Sequence, residues 1–102
     1  MKNFRTYQAA VEFYRLSRSL TLPRHLSEQL GRAASSIALN LAEGTGRRTN
    51  ADQLRFFSIA FGSLRECEAI LALADGSTAE VAESLDKLAA HLYQLIKSFG
   101  GR

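Results

Sequence analysis

Proline occurs once in this chain, cysteine once, and no apolar run exceeds the six residues of "AILALA" at 69–74. Each scarcity removes a class of structure. The lone Cys67 has no partner for an internal disulfide, which points to a reducing compartment. Residues 69–74 are far too few to cross a bilayer. The opening stretch "MKNFRTYQAAVEFYRL" scatters charges among its apolar residues and has no continuous greasy core of the kind a signal peptide needs. The expectation is a soluble cytoplasmic protein with no membrane association.

With one proline and seven glycines there are few places for turns, while Ala, Leu, Glu, Arg and Ser dominate, so the composition predicts an all-α protein. At 102 residues the chain forms a single domain spanning 1–102, with room for a modest core but not for a cofactor beside a substrate. No cofactor is expected.

Charge of one sign is scarce in one part of the chain. Residues 1–48 carry eight basic side chains against three acidic ones, whereas the remainder carries five against seven, within a net charge of +3. Ten of the thirteen cations are arginine, which suits bidentate contact with phosphate or carboxylate. An acidic partner such as nucleic acid is one reading, and solvated helix faces are the other.

The hydrophobic pattern divides the chain into four helices. In the fourth, Val81, Leu85, Leu88, Leu92, Leu95 and Phe99 recur at alternating spacings of four and three, forming one stripe, with Ser84 and His91 among the residues placed outside it. Ser77 and Glu80 read as a capping box at its start, and Gly100 follows its last apolar residue. The third helix starts after Thr49 or Asn50, either of which can cap it, and runs to about Ala74. It carries two adjoining lines: Leu54, Phe57, Phe61, Leu64, Leu71, and Phe56, Ile59, Ala60, Cys67, Ile70, Ala74. The second starts at Pro23, turns Leu26, Leu30, Ala33, Ala34, Ile37 and Leu41 inward, and is expected to stop at Gly44 in a left-handed conformation. The first, from about Asn3 to Leu20, has Phe4, Tyr7, Val11 and Tyr14 on one line and Phe13, Leu16 and Leu20 on the next. Short connections make sequential neighbours antiparallel, so the expected architecture is an up-down-up-down four-helix bundle. The double-width apolar surfaces of the first and third helices exceed the stripe that one bundle buries, and self-association is the simplest second contact.

"NLAEGTGRRT" at 40–49 is the one stretch dense in chemistry. It follows a helix instead of a buried strand and lacks the lysine and spacing of a phosphate loop. Turn chemistry accounts for its glycines, but Asn40 falls near the buried stripe, where an amide needs partners. Glu43 falls at the negative end of a helix dipole, which predicts a neighbouring arginine, with Arg47, Arg48 and Arg32 as candidates.

Enzymatic readings fail on spacing. None of the seven glutamates has a histidine three residues on, as a di-iron bundle site requires, so no metal is expected. His25 and His91 stand alone, and Cys67 reads as a small core residue. Glu66 and Glu68, two positions apart, point to different sides of a helix. No nucleophile, base and oxyanion site come together.

"QLGRAASSIALNLAEG" at 29–44, followed by two arginines and "FFSIAFGSLRECE" at 56–68, resembles the four-helix-bundle family of the 23S rRNA intervening-sequence protein, which includes the accessory variability determinant of diversity-generating retroelements. The pattern falls on Arg32, Ala33, Ala34, Ser36, Ile37, Asn40, Ala42, Glu43, Gly44, Arg47 or Arg48, Ile59, Ala60, Gly62, Ser63, Leu64 and Glu66. The chain departs from it before Gln29, where Leu22-Pro23 is all that remains of a longer lead-in, and at Ala38, where proline is common.

The resemblance implies a ring-like homopentamer without catalytic activity, and, for retroelement members, binding to nucleic acid and to a reverse transcriptase through a basic surface. Five copies would carry about +15, a field that a polyanion would feel strongly. The leading expectation is a non-enzymatic oligomeric bundle whose arginines contact RNA or DNA phosphates, Arg47 and Arg48 first, then Arg15, Arg18 and Arg24. Arg32, Asn40, Glu43 and Glu66 are assigned to structural polar contacts. The competing expectation is a protein-interaction scaffold with no nucleic-acid role.

Overall fold

The structure is a computed structural model that describes residues 3–100. Four helices follow one another: α1 (Phe4–Ser17), α2 (Arg24–Thr45), α3 (Asn50–Leu73) and α4 (Ala79–Ser98). Helices α1 and α3 each pack on both α2 and α4, and the diagonal pairs do not meet. Named contacts fix the direction of each helix. At one end, Asn3 at the start of α1 donates to Thr45 Oγ1 at the end of α2, and Phe57 near the start of α3 meets Phe99 after α4 edge to face at 5.2 Å. At the other, Arg18 reaches the Ser27 carbonyl across the α1–α2 turn, and Gly76 of the α3–α4 turn lies close to Thr21 and Leu22. The helices therefore run up, down, up and down in a rod of 40 × 22 × 21 Å.

The α4 stripe is buried as its spacing requires, with Val81, Leu85, Leu88, Leu92 and Leu95 in the core and Phe99 half-buried. Ser84, expected on the surface, is buried as well. The cap of α4 is Thr78, whose hydroxyl accepts from the Val81 amide at 3.2 Å, and not Ser77 one residue earlier. For α3, Thr49 is the cap and accepts from the Asp52 amide at 3.1 Å.

In α1 the buried residues are Thr6, Ala9, Ala10, Phe13 and Ser17, at helical spacing but mostly small. The expected line of Phe4, Tyr7, Val11 and Tyr14 flanks this stripe half-buried, with Phe4 exposed. Small residues there let α1 approach its neighbours closely, and apart from Phe13 the bulky ones are left to the rim.

Two punctuation marks behave differently from their expected roles. Pro23 precedes the first turn of α2 as its cap residue, and its carbonyl accepts from the Leu26 and Ser27 amides. Gly44 does not end α2: the helix continues to Thr45, Gly46 closes it at φ −81°, and among the described residues only Gly100 has positive φ. The physical reason for Gly44 is room. A Cβ there would stand 2.7 Å from Phe57 Cε1 and 3.0 Å from Phe56 Cβ, so its absence is what lets α3 lie this close to α2.

Candidate functional site

The α2–α3 turn, where the sequence concentrates its polar residues, is held from both sides. Arg47 Nη2 pairs with Glu43 Oε2 at 3.0 Å, the arginine partner that a carboxylate at a helix C-terminus requires. The Arg47 Nε lies 3.7 Å from Asp52 Oδ2, and Arg55 takes the other oxygen of Asp52 at 3.1 Å. Both guanidiniums lie over the Phe56 ring, 4.6 Å and 4.5 Å from its centroid. Gln53 donates to the Arg47 carbonyl at 3.1 Å. Arg47 thus fastens the turn, while its neighbour Arg48 is exposed and has no ion-pair partner among the described residues.

Asn40 finds its partners one turn back. Its amide donates to the Ser36 carbonyl at 2.9 Å and to Ser36 Oγ at 3.0 Å, and Ser36 Oγ sits 2.9 Å from Ser63 Oγ on α3. This chain of three side chains crosses from α2 to α3 and sets how the two helices slide against each other. Among the described residues no buried side-chain polar atom lacks a partner.

Arg15, Arg18 and Arg24 lie toward the opposite end of the rod. Arg18, just past α1, donates from Nη1 to the Ser27 carbonyl at 2.9 Å, and Arg24 pairs with Glu28 at 3.0 Å. Arg15 is exposed on α1. Arg32 and Glu66, assigned to polar contacts from the sequence, are exposed, and neither has an ion-pair or side-chain hydrogen-bond partner among the described residues. Arg32 instead lines a groove with Tyr14, Arg18, Glu28, Gly31 and Ser35. Arg47 and Arg48 therefore lie past one end of α2, Arg18 and Arg24 at its other end, and Arg32 about 12 Å along the helix from Arg24 at the helical rise per residue.

Burial, then the nearby Glu66 and Glu68 carboxylates, push the Cys67 thiol up to about 12, so it stays protonated and unreactive at neutral pH. His25 is exposed near the start of α2, and His91 lies half-buried on α4 in a groove with Phe4, Arg5, Thr6 and Gln94. No cluster of three metal-ligating side chains exists among the described residues. Among the described residues no helix is long and apolar enough to cross a membrane.

Arg32 beside Arg18 is the pairing that sequence reasoning missed. The only signal for it is Gly31, a glycine inside a helix with no turn to make. The family model described as 23S rRNA-intervening sequence protein matches residues 3–101. No curated protein matches the chain at a significant level.

Proposed function

This chain belongs to the family of 23S rRNA-intervening sequence proteins, and on that footing we propose that it is a non-enzymatic, self-associating bundle whose arginines bind RNA or DNA phosphates. The uneven pairing of its charges carries the proposal. Arg5, Arg15, Arg32 and Arg48, on α1, α2 and the turn after it, have no acidic partner among the described residues. The acids without a cation among the described residues, Glu66, Asp75, Glu80, Glu83 and Asp86, fall on the second half of α3, the following turn and α4. A polyanion is drawn to the first side and repelled by the second. The contacts would be to phosphate and independent of base sequence.

Self-association is supported by apolar surface that the bundle leaves outside. Leu39 is 67% exposed, Ile59 44% and Leu73 76%. Gly62, on the outer side of α3, has nothing within 4 Å of the place its Cβ would take, so nothing in the subunit calls for a glycine there. A second copy covering this surface accounts for both, and a pentameric ring would sum the positive fields of its members. We further propose a reverse transcriptase as a protein partner, with the bundle as its accessory in the cytoplasm.

Filter binding of single-stranded RNA and DNA at about 50 and about 200 mM salt, on protein whose mass is measured by sedimentation, tests the proposal. Salt-sensitive binding by an oligomer is the expected result, and absence of binding at the lower salt rejects it. The exposed Leu39 and Leu73 favour one other reading, a scaffold that touches only proteins. It requires oligomers that ignore nucleic acid at both salt concentrations.

A further inference from the structure

We infer that the groove between the end of α1 and the first half of α2 is a seat for a nucleic-acid phosphodiester, built on Arg18 and Arg32; this rests on the nucleic-acid reading and says where the strand lies. The groove is an open trough of about 420 Å³ with Tyr14, Arg18, Glu28, Gly31, Arg32 and Ser35 along it. Its first cation is held in place. Arg18 is anchored by one nitrogen on the Ser27 carbonyl, and its guanidinium lies against the bare backbone of Gly31, where a Cβ would stand 2.5 Å from Nη1. A glycine weakens the interior of a helix, and the space that it opens here is filled by this guanidinium. The remaining donors of Arg18 are unspent, and Arg32, next to Gly31, contributes a whole fork with no acid to occupy it among the described residues.

The single acid in the groove does not cancel these charges, because Glu28 is paired with Arg24 at 3.0 Å. Two planar, unneutralised guanidiniums, one preorganised, suit the bidentate geometry of a phosphate better than that of a lone carboxylate side chain reaching in from a protein. Tyr14 offers an aromatic surface beside them, as sites for single strands use next to their cations.

The test compares wild type, Arg32→Ala, Gly31→Ala and Arg48→Ala in binding oligothymidylate and oligouridylate of about 20 nucleotides across a salt series. Arg32→Ala is expected to weaken binding at least about five-fold and to lower the salt slope by about one unit. Gly31→Ala keeps every charge and favours the helix, yet should weaken binding in the same direction by dislodging Arg18. If wild type binds but both groove variants match it, the phosphates sit elsewhere, the groove assignment fails and the broader nucleic-acid reading stands. If wild type binds neither oligonucleotide, both fail. Polyglutamate competing as well as the oligonucleotide per unit charge would also overturn the assignment, leaving an unselective anion patch.

Discussion

Gly44 of α2 lies tight against Phe57 of α3: a methyl group on residue 44 would stand 2.7 Å from the edge of the phenyl ring. That ring cannot swing aside easily. Phe57 is buried and braced edge-on by Phe99 at an interplanar angle of 75°. Gly44→Ala gains about 1 kcal/mol of helix propensity and loses roughly 1–3 kcal/mol to overpacking. The balance is expected to be destabilising by about 1 kcal/mol, read as a fall in Tm of about 4–8 °C. A rise in Tm would show that α3 can retreat without loss.

Gly62→Ala is the matching opposite. Residue 62 lies on the open side of α3 with no atom near its missing Cβ, so only the propensity term acts within the subunit. Denaturant unfolding of dilute protein should show a gain of up to about 1 kcal/mol. A loss would mean that some contact within the subunit depends on this glycine.

The two neighbouring arginines of the turn should separate cleanly. Arg47→Ala removes the contacts to Glu43, Asp52 and Phe56 together and is expected to lower stability by about 1–2 kcal/mol. Arg48→Ala removes no such contact and should leave stability within about 0.5 kcal/mol, while lowering the salt slope of nucleic-acid binding by about one unit. Thermal melts and binding isotherms on both variants check this, and equal effects of the two on stability would contradict it.

Cys67 makes stability depend on pH in alkali. Its thiol is raised by burial from the ordinary 9.0 to about 12 in the fold. Below 9 both folded and unfolded chains hold the proton, so the thiol adds no pH dependence there. Between 9 and about 12 the unfolded chain loses its proton first, and stability falls with rising pH by up to roughly 1.4 kcal/mol per unit. The Cys67→Ala variant should lose this slope, which denaturant titrations at several alkaline pH values would reveal. A slope unchanged in the variant would assign it to other groups.

Much of this architecture is legible in the sequence because its signals are periodic. The α4 stripe from Val81 to Leu95 and the α2 stripe from Leu30 to Leu41 have one wet side and one dry side, and burial follows spacing. Glu43 announces its need of a cation by its place at a helix end, and Arg47 supplies it. Helix α1 is harder to read because, Phe13 apart, its largest residues are not its most buried ones. Phe4 and Tyr7 draw attention, while Ala9, Ala10 and the polar Thr6 and Ser17 do the packing. Gly44 looks like a helix stop since a missing Cβ serves left-handed turns and tight crossings equally, and only the position of Phe57 tells them apart. The contact of Arg18 with Gly31 spans a turn and joins residues with no local pattern between them. Of the site, the arginines are visible one by one; which of them lie near one another depends on the path of the helices.

The chain's one thiol is sealed beneath packed helices, and this leaves the surface chemically quiet toward cysteine-directed reagents. A cysteine introduced at any exposed position, such as Ser58 or Gln94, would be the sole group in the native molecule to take up a maleimide dye or spin label. Distances between copies in an assembly, or between the bundle and a bound strand, then become measurable without first deleting a native residue from the core.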